Sequence, residues 1–113
     1  MHKSHRLRKN EDFQLVYEEG RSVANRQLVL YYCRNPHVAH FRLGVSVSKK
    51  LGQAVVRNRI KRLVKEVVRN EAKHLPRGYD FIVVVRRQAL SLNYEQLKNS
   101  FLHVLKKSKL YRP

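Results

Sequence analysis

Cysteine, acidic residues and long apolar runs are all scarce in this chain of 113 residues. Its one cysteine, Cys33, excludes an internal disulfide, so we expect a reducing compartment and interpret Cys33 as a small apolar strand residue. The apolar run 81–85 is far too short to span a bilayer. The basic start of the chain lacks the apolar stretch of a signal peptide. These features predict a cytoplasmic protein with no membrane partner.

Acidic residues are outnumbered by basic ones, with eight Asp and Glu against 25 Lys and Arg and a formal net charge of +17. A cationic field of this size attracts polyanions, so nucleic acid is the first candidate partner and an acidic membrane surface the second. Half of the acids lie in the segment 11–19, and the six histidines have no nearby Cys or paired acids. We therefore expect no catalytic residue and no metal site in this chain.

The length of the chain predicts a single domain over residues 1–113, with residues 1–9 as a mobile basic lead-in. A first helix should begin at the cap Asn10 and end at Gly20. Strands are predicted over 27–33, 40–48 and 80–86, with another possible at 22–24, and helices over 52–73 and after a capping box at Asn93. We expect 40–48 to lie antiparallel to its predecessor and 80–86, which is almost wholly apolar, to be central. This order indicates an α+β fold, a two-layer α/β sandwich.

The helix 52–73 separates apolar and cationic residues. One arc should face the core and comprises Val56, Ile60, Leu63, Val64 and Val67, with Val68 at its edge. An uninterrupted row at four-residue spacing comprises Arg57, Lys61, Lys65 and Arg69. Like charges at this spacing repel, so folding gains nothing from the row. A polyanion-binding surface, extended by Lys49 and Lys50, is therefore favoured over a merely solvated face. Charge alone leaves RNA and DNA open as its target.

Aromatic residues suggest a second surface. Phe13 and Tyr17 share one side of the first helix, and either Tyr31 or Tyr32 can meet them because successive strand residues point to opposite faces. These rings are either core residues or a stacking platform for single-stranded bases. Arg26 and the basic lead-in would supply phosphate contacts next to such a platform.

The sequence SVSKKLGQAVVRNRIKR at residues 46–62 resembles the signature of the bacterial ribonuclease P protein family, including its Arg57-Asn58-Arg59 motif. The resemblance continues through NEDF at 10–13, SVANRQ at 22–27 and DFIVVVR at 80–86. It covers nearly the whole chain. One departure is Lys65, which stands where the family commonly has arginine and could not make a bidentate contact.

The resemblance implies the protein subunit of a ribozyme whose catalytic RNA, with magnesium bound by that RNA, removes the 5′ leader of precursor tRNA. It implies a left-handed β-α-β crossover and two partners, ribonuclease P RNA and precursor tRNA, with no obligate protein partner evident. The RNA-binding residues implied are Lys50, Arg57, Asn58, Arg59, Lys61, Arg62 and Lys65. The leader-binding cleft implied comprises Phe13, Tyr17, Tyr31, Arg26 and Arg42. From composition alone, a structural RNA-binding protein such as a ribosomal protein is the alternative, followed by an architectural DNA-binding protein.

Overall fold

A computed structural model describes residues 5–113, so residues 1–4 of the predicted lead-in lie outside the described residues. The helices and strands are α1 (Asn10–Glu19), β1 (Arg21–Ala24), β2 (Leu28–Arg34), β3 (Phe41–Val47), α2 (Ala54–Asn70), β4 (Tyr79–Val85) and α3 (Tyr94–Lys107). Short 3-10 turns occur at Lys49–Leu51, Ala72–His74 and Arg87–Ala89. This order confirms the predicted α+β sandwich, and β1 confirms the possible short strand.

The four strands lie in the order β1-β2-β4-β3, with β2 antiparallel and β3 parallel to β4. β3 therefore runs antiparallel to its predecessor β2, as predicted, but it does not pair with β2 because β4 lies between them. The reason is the apolar content of β4, whose Phe81, Ile82 and Val83 are all buried and which therefore needs cover on both faces. Since β3 and β4 are parallel neighbours, α2 connects them in a β-α-β unit.

The main core lies between one face of the sheet and the helices α2 and α3. Its buried helical residues are Ile60, Val64, Val67 and Val68 of α2 and Leu97, Phe101, Val104 and Leu105 of α3. The predicted stripe of α2 is correct except at its start, where Val56 is 39% exposed and Val55 is 78% exposed. Asn93 and Gln96 form the predicted capping box at the start of α3. The first turn of α2 thus projects beyond the core.

The opposite face of the sheet carries α1 and a smaller core of Leu7, Val16 and Ile82. Half-buried residues pack around it, among them Phe13, Tyr31 and Cys33. Cys33 lies in β2 as interpreted, and burial, with the charges of Asp80 and Glu19, raises the pKa of its thiol. A protonated thiol of this kind is a poor nucleophile.

The described part of the lead-in, which the sequence predicts to be mobile, contacts β3. The Leu7 N–H donates to the Leu43 carbonyl at 2.9 Å, and Arg6 forms a parallel bridge with Leu43. Leu7 is only 5% exposed. One buried leucine and one backbone hydrogen bond hold a segment whose charge had suggested solvent exposure.

The ends of α1 also differ from the prediction. The cap residue is Lys9 rather than Asn10, and no side chain bonds the first turn, whose Glu11 and Asp12 still suit the helix dipole. Gly20 ends the helix with φ −85°, not in the left-handed region. A Cβ there would lie 2.5 Å from both the Tyr32 and the Val16 carbonyl oxygens. Gly20 is therefore required by close packing of α1 on β2.

Substituting Gly20→Ala should lower the free energy of unfolding by about 1–3 kcal/mol, because both clashing atoms belong to the backbone and cannot rotate away. Urea unfolding followed by circular dichroism measures the change. Glu19→Ala, at the exposed neighbouring position, is the matched control and should stay within about 0.5 kcal/mol of the parent. Equal stability of the two variants would contradict the packing explanation.

Candidate nucleic-acid interface

Alternation along β3 gives its two sides different roles. Leu43 and Val47 face the main core, whereas Arg42, Gly44 and Ser46 belong to the face that carries α1. Since α1 has only ten residues, it covers that face in part. A cleft remains between α1, the lead-in and α2.

Phe13 packs on β3 because position 44 has no side chain. A Cβ on Gly44 would lie 2.4 Å from the Cζ atom of Phe13, so glycine lets the ring rest on the strand backbone. The ring is half-buried and lines a cavity of about 220 Å³, which Arg6, Lys61 and Lys65 also line. One wall of the cleft is thus aromatic and the other is cationic.

Tyr17 and Tyr31 extend the aromatic wall. Their ring centroids lie 4.8 Å apart in an edge-to-face arrangement, and Tyr17 remains 41% exposed. Tyr31 is therefore the residue of β2 that meets α1, while Tyr32 packs with the main core. Burial raises the pKa of Tyr17, with a hydrogen bond to Ser46 opposing the shift, so its hydroxyl stays protonated at neutral pH.

The polar residues of α2 fall into two groups that differ in exposure and in the surface they face. Asn58, Arg59 and Arg62 are exposed on the outer side of the helix, as is Arg69. Arg57, Lys61 and Lys65 are half-buried, and the latter two line the cleft. Arg57 donates from Nε to the Gly52 carbonyl at 3.1 Å, which holds it against the start of the helix. Lys50, in the turn before α2, is exposed.

Lys65 shows the electrostatic cost of this arrangement. Burial, together with the nearby charges of Arg6 and Lys61, lowers the pKa of its ammonium group. The described residues that line the cleft include no Asp or Glu. An anion placed there would favour the charged form of Lys65, so the cleft is electrostatically suited to phosphate.

Lys61 and Lys65 join the two surfaces that the sequence suggested separately. Lys65 lines the cleft and also a neighbouring cavity on the outer side of α2, which is lined by Arg62, Glu66 and Arg69 as well, so the two surfaces are continuous. Sequence reasoning placed the basic lead-in next to the aromatic residues, and Arg6 and Arg8 of that segment line the cleft, but it missed Gly44. The polar side of the β3 alternation contained Gly44, but only the contact with Phe13 reveals its role.

Arg42, which the resemblance placed among the cleft residues, is engaged in ion pairs. Its Nε and Nη2 atoms donate to the two carboxylate oxygens of Asp80 at 2.8 Å each, and Nη1 lies 3.5 Å from Asp12 of α1. Hydrogen bonding to Asp80 raises the pKa of Arg42. Arg42 thereby ties α1 to the sheet, and its guanidinium is not open to a bidentate phosphate contact.

Arg26 is also set apart from the aromatic residues. It is exposed in the connection between β1 and β2, five positions before Tyr31, and this corresponds to about 16 Å along an extended strand. The neighbouring Asn25 bonds to Ser100 of α3, on the other side of the sheet. The structure thus does not bring Arg26 together with the cleft.

The described residues also bear on metal binding and on membrane crossing. Among residues 5–113, no group of three or more His, Cys, Asp and Glu side chains is placed to hold a metal ion. No helix in the same range is long and apolar enough to cross a membrane.

The fold and this interface define a small α+β protein built to bind nucleic acid. The family model for ribonuclease P matches residues 1–109, and the chain belongs to the ribonuclease P protein family. The ribonuclease P protein component of Brevibacillus brevis is 46% identical over 112 residues, covering 99% of this chain and 89% of the relative.

Solved structures of the family have the same fold. The Staphylococcus aureus RNase P protein is 48% identical, with a TM-score of 0.88 over 97% of this chain and 100% of the other. The protein from Thermotoga maritima is 32% identical, with a TM-score of 0.82 over 90% of this chain and 96% of the other. The resemblance found in the sequence is thereby confirmed.

Substituting Arg42→Ala should lower the free energy of unfolding by about 2–4 kcal/mol, since it leaves the carboxylate of Asp80, only 5% exposed, without its bidentate partner. Chemical denaturation measures the loss. Arg59→Ala removes the same charge from an exposed position and should change stability by less than about 0.5 kcal/mol. Similar effects of the two substitutions would argue against a structural role for Arg42.

Proposed function

We propose that this chain is the protein subunit of ribonuclease P, acting as one RNA-binding domain over residues 1–113 in the cytoplasm. It binds the catalytic RNA and the 5′ leader of precursor tRNA, and it assists the endonucleolytic cut that gives the mature tRNA 5′ end. The observation that carries this proposal is the continuity between the cationic face of α2 and the aromatic cleft. A folded RNA and a single strand can occupy the two parts together.

The outer side of α2 suits the catalytic RNA. Arg59 and Arg62 are exposed, and Asn58 between them offers both donors and an acceptor. Arginine makes bidentate phosphate contacts. Lys50 and Arg57 extend this surface around the start of the helix. A rigid helix with its other side in the core presents these groups in a fixed pattern, as recognition of folded RNA by shape requires.

The cleft suits a single-stranded leader. Phe13, Tyr17 and Tyr31 supply aromatic surface on which bases stack without strong sequence preference. Lys61 and Lys65 lie across from them and can follow the phosphates. Arg42 supports this wall by fixing α1 instead of touching RNA, and we leave Arg26 outside the contact set.

Hydrolysis is assigned to the catalytic RNA and to magnesium bound by that RNA. This chain contributes by binding and orienting the leader, and by neutralising phosphates where two RNA molecules approach each other. Its high positive charge lowers their mutual repulsion, which otherwise requires more magnesium.

Cleavage of precursor tRNA by the catalytic RNA, with and without this protein, tests the function directly. The protein should lower the magnesium concentration needed for cleavage and should favour leader-bearing over mature tRNA. A structural RNA-binding protein would do neither. An unchanged magnesium requirement would therefore contradict the proposal.

Substituting Arg59→Ala or Arg62→Ala should weaken assembly with the catalytic RNA without changing stability, because both side chains are exposed. Each lost phosphate contact should reduce the slope of log affinity against log salt by roughly one. Filter binding over a salt series measures it, with Lys98→Ala on α3 as the control. Slopes equal to that of the parent would exclude this side of α2 as the main RNA contact.

Substituting Phe13→Ala should weaken binding of leader-bearing tRNA roughly tenfold and leave mature tRNA almost unaffected, because a stacked base is lost. Leu15→Ala, on the exposed side of the same helix, is the control and should bind like the parent. Binding to the assembled ribonucleoprotein measures both. Equal losses for the two tRNA forms would show that Phe13 serves only the packing of α1.

A further inference from the structure

A second cationic cavity lies at the far end of α2 from Arg57. It measures about 410 Å³ and opens between the lead-in, the start of β3, the segment 72–77 and the last residues of the chain. Lys73, Arg77 and Arg112 line it. No Asp or Glu is among the described residues of its lining. Three cations around one cavity without an acid form a site for an anionic group.

The walls of this cavity are held by specific contacts. The rings of His5 and His40 pack at a tilt of 30° with centroids 4.0 Å apart, and both Nδ1 atoms donate to the Phe41 carbonyl, at 3.1 and 2.9 Å. On the opposite side the Arg112 N–H donates to the His74 carbonyl at 2.8 Å, and His74 Nδ1 donates to the Arg112 carbonyl at 2.7 Å. The backbone that carries the cations is therefore well defined.

The cavity continues the line of the aromatic cleft. Along β3, Phe41 lines the cavity and Leu43, on the same face of the strand, lines the cleft, and these two residues are about 7 Å apart. Lys73 and Arg77 also continue the four-residue spacing of the α2 cations beyond the end of that helix. A strand of RNA that leaves the cleft along this edge meets the cavity next.

The direction of the leader follows from the proposed function, on which this inference rests. The catalytic RNA holds the cleavage site and is assigned to the side of α2 that Lys50 and Arg57 extend around the start of the helix, so we place the 3′ end of the leader near that start. A leader that follows the cleft then runs with its 5′ end towards the end of α2. We propose that the cavity is a second leader subsite, in which Lys73, Arg77 and Arg112 bind phosphodiester groups upstream of the nucleotides held in the cleft.

Charge contacts of this kind are independent of base sequence. Arginine can hold a phosphate through two N–H groups, and lysine acts as a point charge. The subsite should therefore raise the affinity for longer leaders whatever their base sequence, and its contribution to affinity should fall as salt concentration rises. These two properties separate it from the aromatic cleft, where bases stack.

The test uses the assembled ribonucleoprotein with the double variant Lys73→Gln/Arg77→Gln, whose two side chains are exposed and whose folding is checked by thermal melting. Its substrates are a precursor tRNA with a long leader, one whose leader is cut back to the part nearest the cleavage site, and mature tRNA. We expect affinity for the long-leader substrate to fall roughly fivefold, as for two modest charge contacts, with the other two substrates and RNA assembly unchanged.

Two further variants make the test specific. Arg21→Gln/Lys98→Gln removes two charges elsewhere on the protein and should bind all three substrates like the parent. Lys73→Arg/Arg77→Lys keeps both charges and should retain affinity for the long leader.

Equal losses for long and short leaders, or weaker assembly, would overturn the proposal and assign the cavity to the tRNA body or to the catalytic RNA. An unchanged affinity for the long leader would also overturn it. Failure of the proposed function would look different, since the parent complex would then show no preference for leader-bearing over mature tRNA.

Discussion

The central position of β4 determines how the other parts of this protein are arranged. A strand buried on both faces needs a neighbour on each side and cover above and below. Since β3 lies parallel to β4, the chain must cross from the end of one to the start of the other, and α2 makes that crossing. The same connection packs the apolar stripe of α2 on one sheet face and brings its cations to the edge of the other.

In the cleft between α1, the lead-in and α2, apolar packing stabilises the protein and repulsion between cations destabilises it. The packing of Phe13 on Gly44 buries apolar surface, as does that of Leu7 beside Leu43. These contacts fix the geometry of the cleft. Burial, together with the charges of Arg6 and Lys61, lowers the pKa of Lys65. Packing holds the cations at positions that the isolated protein does not benefit from. A phosphate bound there would supply negative charge, and under the proposed function part of the binding free energy is relief of repulsion already present in the free protein.

Local sequence patterns predicted the helices, the alternation of β3 and the burial of β4, because each depends on residues close together in the chain. They could not show that β4 separates β2 from β3, since pairing depends on competition among distant segments. The hand of the crossover is likewise beyond periodicity, as general rules favour the right-handed form. Arg42 and Asp80 are 38 positions apart, so only the fold reveals that this arginine is committed to an ion pair. The contact of the lead-in with β3 was not predicted, because Leu7 is isolated among charged and polar residues.

Chemical-shift mapping of the free protein tests the central claim most directly. A short single-stranded RNA, titrated into ¹⁵N-labelled protein, should shift the backbone signals of the cleft, namely those of Phe13, Tyr31, Gly44 and Ser46, and those of Lys61 and Lys65. Signals from the outer side of α3, such as Glu95 and Asn99, should stay in place. Shifts confined to α3, or spread evenly over all exposed cations, would contradict a specific cleft between α1 and α2.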